Sequence, residues 1–469
     1  MSEANTDATI KADIDEIVAR AREAQARYEA NGSQARYDRA AQAAAWAIME
    51  PERNRALAEL AVQTTGLGNV PDKITKNHRK TLGLMRDIQG AMTFGVIADD
   101  RATGITEIAR AKGVVAAIVP STNPAATPAN NIINAVKCGN AIVIAPSPKG
   151  VACAERLLAY VHAEFAKIGE DPDLVQMLPA PGSKEKTQAL MEACDLIVAT
   201  GSQNNVHRAQ TAGTPAVAVG AGNVTVIVDE TADLGAAATK IRASKCFDNA
   251  TSCSSENAVV VVDAVYADFV AAMARNGGAL VEDEAGVVAK LWPDGHLNRS
   301  VIAQDADKMI AALELDVPQG TDYIAVPTTG IGRDHPLSGE KLSRVLALYR
   351  APDFSSAVEV ARNIQEYQGA GHSVGLHTSD DSRASVLATA IPTSRVIVNQ
   401  AHTFATGGSF TNGMPFSLSM GCGTWGGNSV NENVNYRHFM QSTKIIREIP
   451  SREPSVDEIF ADYWNTAGQ

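Results

Sequence analysis

The chain has 469 residues, of which 45% are hydrophobic, and its 53 acidic side chains outnumber 41 basic ones, for a net charge of −12. This length suffices for two or three domains, and the acidic balance argues against nucleic acid as a partner, which needs a basic face. Without an apolar run of roughly 20 residues, a signal peptide or metal-like spacing of its six cysteines, the chain is expected to be cytoplasmic, with free thiols, no metal and no membrane partner.

Helical spacing dominates the chain up to about residue 95, where apolar residues such as Ile14, Ile17 and Val18 recur on one face. We assign no chemistry to this segment. Alternating apolar and polar residues near positions 101–112 then predict a short two-stranded ribbon. An ordinary edge hairpin is the alternative interpretation of that ribbon.

From Gly113 onward, predicted strands alternate with predicted helices. The apolar strand segments are 114–119, 141–145, 196–199, 216–219 and 224–228. Strands separated by helices indicate an α/β fold with a parallel, doubly wound sheet. Such sheets bind nucleotides at the carboxyl ends of their strands. None of these strands is followed by the G-x-G-x-x-G fingerprint, and Gly220-Ala221-Gly222-Asn223 supplies only two glycines, so the pattern alone leaves a dinucleotide site open.

The stretch 245–257 reads Lys-Cys-Phe-Asp-Asn-Ala-Thr-Ser-Cys-Ser-Ser-Glu-Asn. It lies between a helical pattern that ends near Ser244 and a predicted strand at 258–262, so Cys253 falls in a tight turn before a buried strand. Small polar neighbours keep such a thiol reachable and let backbone N–H groups face its target. This turn is typical of a thiolate nucleophile; a buried structural cysteine is the alternative.

A second α/β block runs from this cysteine to about Gly427. It ends in a glycine-rich run at 421–429, Gly-Cys-Gly-Thr-Trp-Gly-Gly-Asn-Ser. Such a run requires unusual backbone angles or close backbone approach. His372, beside a glycine turn in this block, is interpreted as a structural histidine rather than a base.

The cysteine stretch and the glycine-rich run resemble two signatures of CoA-acylating aldehyde dehydrogenases, K-x-F-D-N followed by C-[AS]-S-E, and G-C-G-[ST]-W-G-G-N-S. The resemblance covers residues from about 10 to 447. It implies an α/β aldehyde dehydrogenase-like fold with a Rossmann-like cofactor domain, a second α/β catalytic domain and a small oligomerisation ribbon. The expected divisions are 1–240, with the ribbon at 95–112, then 241–427 for catalysis and 428–469 for a return segment and oligomerisation tail. A homodimer or homotetramer is expected.

The resemblance also assigns the reacting groups. Cys253 attacks the aldehyde, and Asn123, in Val-Pro-Ser-Thr-Asn-Pro at 119–124, donates its side-chain N–H to the resulting oxyanion together with the Cys253 backbone N–H. A simple Asn-Pro turn is the alternative for Asn123. Val219 stands where hydrolytic members carry the Glu that activates water. Coenzyme A is therefore predicted to accept the acyl group, with a non-acylating enzyme as the alternative.

A nicotinamide cofactor is a further implication of the resemblance. Thr200-Gly201-Ser202 is similar to the family's pyrophosphate turn, and Glu340 is similar to the Glu that holds the nicotinamide ribose. Pro148 replaces a Glu that disfavours a 2′-phosphate, and Ser147 and the positive charge of Lys149 are expected to meet that phosphate, so NADP is predicted over NAD. The predicted cofactor-binding residues are Ser121, Thr122, Pro146, Ser147, Lys149, Gly201, Ser202, Gly220, Glu340 and Leu342.

The segment 398–413 resembles the N-Q-x-x-x-x-x-G-G-S-F-x-N-G loop of acylating enzymes that act on anionic aldehydes. Its hydroxyls, amides and glycine N–H groups can bind an anion without a paired cation. The loop is more similar to that of the sulfoacetaldehyde group than to that of the succinate-semialdehyde group. His402, Thr403 and Phe404 are predicted to contact a short anionic substrate, although His402 alternatively caps the loop.

Overall fold

The structure is a computed structural model that describes residues 3–468, with side chains from residue 9. Capping side chains explain where its first helices begin, since Ser33 and Asn69 each accept a backbone N–H in the first turn that follows. Gly66, with φ of 70°, ends the third helix in the left-handed conformation that glycine tolerates. The four helices are α1 (Glu3–Ala30), α2 (Gln34–Met49), α3 (Pro51–Thr65) and α4 (Val70–Ile88).

Helix α4 has an unusual buried face. Lys73, Lys76 and Lys80 lie along it at helical spacing, and they are only 4%, 5% and 9% exposed. A buried ammonium group is costly unless other parts of the chain supply acceptors. The face therefore marks a place where α4 docks on polar groups from elsewhere in the molecule.

The first parallel sheet follows the antiparallel strands β1 (Val96–Asp100) and β2 (Ile105–Ala111), which form the predicted ribbon. Its strands pair in the order β5-β4-β3-β6-β7, where these are β3 (Val114–Val119), β4 (Ala141–Pro146), β5 (Val175–Met177), β6 (Leu196–Thr200) and β7 (Ala216–Val219). Its helices are α5 (Ala126–Lys137), α6 (Val151–Ile168), α7 (Lys184–Ala193) and α8 (Gln203–Thr211). Because the strands are parallel, Pro120, Ser147, Gly201 and Gly220 all follow strands at the same edge.

The second sheet is also parallel and has seven strands. In sheet order they are β10 (Gly278–Leu280), β11 (Tyr323–Pro327), β12 (Val345–Ala351), β9 (Glu256–Val262), β8 (Val224–Val228), β13 (Val374–His377) and β14 (Val396–Val398). Its helices are α9 (Leu234–Cys246), α10 (Tyr266–Arg275), α11 (Glu284–Leu291), α12 (Ala306–Ala312), α13 (Phe354–Tyr367), α14 (Ser382–Ala390) and α15 (His402–Thr406). Apolar clusters cover both of its faces, as parallel sheets require. The predicted α/β class is confirmed.

The chain changes sheets earlier than the predicted division at residue 240. Strand β7 ends at Val219 in the first sheet, and β8 begins at Val224 between two strands of the second sheet. A short apolar strand carries no sign of which sheet it joins, so sequence periodicity could not place this crossing. The Gly220-Ala221-Gly222-Asn223 loop therefore bridges the two sheets.

The ribbon has three strands rather than two. Strand β15 (Met440–Ile446) returns from the end of the chain and pairs antiparallel with β2. Its residues are mostly exposed, with Ile446 at 75%, so they lack the strong alternation by which a half-buried strand is recognised. The last helix, α16 (Val456–Ala467), follows it with no buried residue.

Within the described part of the chain, none of the helices combines the length and apolar character that a membrane crossing needs. The same residues contain no group of three or more His, Cys, Asp or Glu side chains arranged to hold a metal ion.

Candidate active site

Two adjoining cavities lie at the carboxyl edge of the first sheet. One, of about 370 Å³, contains Cys253 and is called the thiol cavity. The other, of about 540 Å³, lies against β4, β6 and the start of α8 and is called the cofactor cleft. Both are lined by Pro120, Ser121, Gly201 and Ser202, so they form one continuous depression.

Most of the predicted site residues line these cavities. The thiol cavity contains Ser121, Thr122, Asn123, Gly201, Ser202, Gly220, Cys253, Glu340, Leu342 and Thr403, and the cofactor cleft adds Pro146 and Ser147. Three predicted residues line neither. Lys149 is exposed outside the cleft, and His402 is only 1% exposed, behind the thiol cavity. Phe404 contacts Arg79 and Phe247, which do line the cavity, so it supports the wall from outside.

Three successive residues before Cys253 adopt left-handed backbone conformations. Asp248, Asn249 and Ala250 have φ values of 48°, 54° and 61°, which cost energy for residues other than glycine. Side-chain contacts hold them in place. The Asp248 carboxylate accepts hydrogen bonds from Lys73 and Lys76, and Asn249 accepts two from Arg344. The turn that presents the thiol is therefore fixed by its surroundings.

His372 contacts the thiol directly, a position that its interpretation as a structural histidine did not include. Its Nε2 lies 3.2 Å from Cys253 Sγ, and its Nδ1 lies 2.7 Å from Ser373 Oγ. The same hydroxyl is 2.8 Å from His402 Nε2. When His372 Nδ1–H donates to Ser373, its Nε2 is free to accept the thiol proton. The histidine predicted to meet substrate thus lies at the far end of a chain that begins at the thiol.

Glycines allow the backbone segments around Cys253, His372 and Cys422 to approach one another closely. A Cβ on Gly222 would lie 2.4 Å from the Cys253 carbonyl oxygen and 2.9 Å from His372 Cδ2. Gly371 has φ of 80°, and a Cβ there would lie 1.8 Å from the Cys422 carbonyl oxygen. Arg395 joins the two segments, because its Nη1 donates to the carbonyls of His372 and Gly421. The glycine-rich run therefore supports the His372 turn rather than lining the cavity.

Burial keeps the thiol and its neighbouring imidazole neutral. Burial, followed by the Glu340 carboxylate and Cys422, raises the pKa of the Cys253 thiol to about 12. Burial and the charge of Arg395 lower the pKa of His372 to about 3. At neutral pH the pair is therefore a thiol facing an unprotonated imidazole. Burial also raises the pKa of Glu340 to about 7.

Helix α4 brings cations to the thiol cavity. Lys76, Arg79 and Lys80 all line it. Burial and the neighbouring Arg79 and Lys76 lower the pKa of Lys80 to about 7, and Lys80 Nζ donates to the carbonyls of Gly407 and Ser417. The 398–413 loop, which was predicted to bind an anion without a paired cation, thus packs against the basic helix α4.

Arg79 differs from the other two cations because it has no acceptor. Within residues 9–468 no hydrogen bond or ion pair engages its guanidinium group. It lies over the Phe404 ring, 4.7 Å from the ring centre, a contact that orients the group without neutralising it. Burial lowers the pKa of Arg79, but arginine stays charged at neutral pH. The thiol cavity therefore holds one cation available to an anionic ligand.

The cofactor cleft fits a dinucleotide. Ser147 Oγ is buried without a hydrogen-bond partner in the described residues, and Ser202 caps the start of α8, where free backbone N–H groups favour phosphate. Lys184 and Arg208 line the cleft, whereas no Asp or Glu of the described chain does. These groups suit a ribose hydroxyl and phosphate oxygens.

Comparison with known proteins agrees with this geometry. The "Aldehyde dehydrogenase family" model matches residues 4–290. A sulfoacetaldehyde dehydrogenase (acylating) from Cupriavidus necator is 56% identical over 97% of this chain and 92% of its own length. This chain belongs to the aldehyde dehydrogenase family. A succinate-semialdehyde dehydrogenase (acetylating) from Clostridium kluyveri is 36% identical over 86% of this chain and 89% of its own. The crystal structure of an acetylating aldehyde dehydrogenase from Geobacillus thermoglucosidasius superposes with a TM-score of 0.91 at 30% identity, covering 96% of this chain and 99% of that one.

The predicted family is thereby confirmed, and one feature separates this aldehyde dehydrogenase from hydrolytic relatives. Val219, at the position of their activating Glu, is buried at the end of β7 and does not line the thiol cavity. An aliphatic side chain there cannot deprotonate water. Among the described residues, Glu340 is the one carboxylate that lines the thiol cavity, and it is predicted to meet the cofactor ribose instead.

Sequence patterns of this aldehyde dehydrogenase did not indicate Lys76, Arg79, Lys80 or the contact of His372 with the thiol. The sequence contained one signal. Lys73, Lys76 and Lys80 recur at intervals of three and four in a segment that has few apolar residues. Basic residues at that spacing lie on one helical face. Such a face is usually solvated, so only the packing of α4 identifies it as part of the site.

Proposed function

We propose that this protein is a CoA-acylating aldehyde dehydrogenase that oxidises a short anionic aldehyde, preferably sulfoacetaldehyde, to sulfoacetyl-CoA. One observation carries this proposal: a cysteine paired with an imidazole shares its cavity with Arg79, a cation without an acceptor in the described chain. A guanidinium group binds the oxygens of a sulfonate or carboxylate through two N–H donors. A neutral alkyl aldehyde would leave it unpaired.

The first half-reaction forms a thioester on Cys253. His372 Nε2 takes the thiol proton as the carbon–sulfur bond forms, because the raised pKa of the thiol disfavours its loss beforehand. The aldehyde oxygen becomes an oxyanion that accepts hydrogen bonds from Asn123 Nδ2 and the Cys253 backbone N–H. Loss of hydride from the tetrahedral carbon then leaves the acyl group on sulfur.

The second half-reaction transfers the acyl group to coenzyme A. The CoA sulfur, after losing its proton, adds to the thioester carbonyl, and the same two N–H donors hold the second oxyanion. Cys253 leaves and recovers a proton. Each aldehyde thus yields one acyl-CoA, one reduced nicotinamide and one released proton. Exchange of one thioester for another makes the transfer reversible, while Val219 offers no base for competing water.

A bound nicotinamide cofactor supplies the hydride acceptor. We propose that Ser147 hydrogen-bonds the adenosine ribose, that Gly201 and Ser202 contact the pyrophosphate at the start of α8, and that Glu340 holds the nicotinamide ribose. The unpaired Ser147 Oγ and the capped helix start support these roles.

An assay of the wild-type enzyme tests the function. Sustained reduction of the cofactor should require CoA, because Val219 leaves the thioester without an activated water. We expect kcat/KM to fall in the order sulfoacetaldehyde, succinate semialdehyde, propanal. Full turnover without CoA would contradict acylation. A higher kcat/KM for propanal would refute the proposal that the substrate is anionic. A higher kcat/KM for succinate semialdehyde would refute only the proposal that the substrate is short.

The cofactor is proposed to be NADP. Lys184 and Arg208 line the cofactor cleft and carry the positive charge that was predicted for Lys149. One phosphate contact of about 1.4 kcal/mol corresponds to a tenfold preference, so kcat/KM for NADP should exceed that for NAD by about tenfold. Lys184→Gln should lower kcat/KM for NADP and leave kcat/KM for NAD unchanged, so the ratio of the two should fall. A higher kcat/KM with NAD would overturn this assignment.

We also propose that the protein works in the cytoplasm as a homodimer or homotetramer. The exposed apolar side chains of the ribbon and of α16, among them Ile446, Ile459 and Tyr463, support association of identical chains. All six cysteines are free, which suits a reducing compartment.

A further inference from the structure

Lys76 uses all three of its N–H donors within the protein. Its Nζ donates to Asn123 Oδ1 at 2.9 Å, to Thr251 Oγ1 at 2.9 Å and to the Asp248 carboxylate. Lys76 is only 5% exposed. A buried ammonium group with three filled donors has one stable orientation. It therefore fixes the positions of the groups that accept from it.

The contact with Lys76 decides which way the Asn123 amide faces. An ammonium group can only donate, so the amide atom that it contacts is the oxygen. The amide nitrogen must then point away from Lys76. Its one protein partner in the described residues is Thr122 Oγ1, at the long distance of 3.5 Å. Nδ2 is thus available to an oxygen in the thiol cavity, which Asn123 lines.

Lys76 is itself tied to the cysteine turn. Asp248 lies in that turn, and burial raises the pKa of its carboxyl while Lys76, Lys73 and Thr251 outweigh burial and leave the pKa below its ordinary value. The carboxylate is therefore ionised and attracts both lysines. Asp248 Oδ1 also accepts the backbone N–H of Asn69, at the start of α4. One network thus joins α4, the Cys253 turn and the Asn123 side chain.

We propose that Lys76 is the positioning residue of the oxyanion hole: by binding Asn123 Oδ1 it holds Nδ2 toward the oxygen of the substrate. The inference rests on the proposed function, which gives Asn123 the oxyanion. Without Lys76 the amide can rotate and present its oxygen to the cavity, which repels an oxyanion. The loss should fall on the rate of the chemical step and leave aldehyde binding nearly unchanged.

A double-mutant cycle tests this role on whichever aldehyde the wild type oxidises fastest. The single-turnover rate of hydride transfer should fall by about 10²–10³-fold in Asn123→Ala, as for other oxyanion donors, and by about 10–100-fold in Lys76→Met. If Lys76 acts through Asn123, adding Lys76→Met to Asn123→Ala should slow the reaction by less than about threefold more. If Lys76 were purely structural, the fold-losses of rate caused by the two single substitutions would instead multiply in the double variant.

Lys73 supplies the matched control. It lies one turn earlier on α4, is similarly buried, and binds the same Asp248 carboxylate, but its other acceptor is the Thr122 carbonyl. Lys73→Met should lower the unfolding temperature as much as Lys76→Met does, and any loss of rate that it causes through the cysteine turn should multiply with the loss in Asn123→Ala, because Lys73 does not contact the Asn123 side chain. If Lys76→Met does not fold, Lys76→Gln enters the same cycle: an amide can either donate to Asn123 or accept from it, so it fixes the Asn123 amide only in part, and its smaller loss of rate should also disappear in the Asn123→Ala background.

The outcomes separate the two proposals. A wild-type rate in Asn123→Ala would reject the oxyanion role in the proposed function, and the role of Lys76 with it. A slow Asn123→Ala combined with multiplying effects, or with an unchanged rate in the Lys76 variant, would reject the Lys76 proposal alone.

Discussion

Replacement of Cys253 by alanine should lower CoA-dependent aldehyde oxidation by at least about 10⁴-fold. The reaction has no covalent carrier without the sulfur, and removal of a nucleophile commonly costs several orders of magnitude. The substitution deletes one cavity-lining sulfur atom and its contact with His372, so the fold should survive. The measurements are the steady-state rate, the unfolding temperature, and dissociation constants for NADP and NAD.

Cys246 is the matched control for Cys253. It lies in the same segment, burial raises the pKa of its thiol to about 11, and its Sγ contacts the Asp322 carbonyl outside the thiol cavity. Cys246→Ala should keep wild-type activity within about threefold. Appreciable aldehyde oxidation by Cys253→Ala would remove Cys253 from the mechanism, whatever the behaviour of Cys246→Ala.

Substitution of Arg79 by methionine should separate anionic from neutral aldehydes. Loss of one partner from a desolvated charge pair costs about 2–4 kcal/mol, which corresponds to roughly a 30- to 1,000-fold fall in kcat/KM for sulfoacetaldehyde. Propanal is uncharged and forms no ion pair with Arg79, so its kcat/KM should change by less than about threefold. Methionine keeps an unbranched side chain to pack against Phe404.

Arg86 offers a control on the same helix. Its guanidinium lies over the rings of Phe410 and Phe416 and pairs with Asp87, and it does not line the thiol cavity. Arg86→Met also removes one positive charge from α4, so it accounts for the general field of the helix. Equal losses on sulfoacetaldehyde and propanal in Arg79→Met would show that Arg79 does not bind the anion.

Local motifs sufficed to predict the residues that come from short, strand-ending turns. Asn123, Gly201 and Gly220 each follow a strand of one parallel sheet, and parallel topology brings such turns together without knowledge of side-chain packing. Cys253 was predictable for a related reason, since its small polar neighbours and the apolar strand after it are adjacent in sequence. For these residues, the neighbouring sequence is therefore enough to predict their position in the site.

Helix α4 shows why other parts of the site were not predictable. Lys76 and Asn123 meet only because α4 docks against the cysteine turn, a contact between segments far apart in the chain. The spacing of the lysines is equally consistent with a solvated face. For His372 and His402, the sequence indicated two histidines near glycine-rich turns, but only packing decides which imidazole reaches the thiol.

The location of Arg79 on α4 separates two properties of the enzyme along its sequence. In our proposal, carbon–sulfur bond formation depends on the turn before β9 and on Lys76, whereas the charge that selects the aldehyde comes from Arg79, a different cavity-lining residue of α4. A single codon change in α4 can therefore alter which aldehyde is consumed while every reacting group stays the same. Substrate range in such a protein can therefore change while its chemistry is kept, and exchange of the residue at position 79 alone, with Lys73 and Lys76 retained, should transfer charge preference as a separable trait.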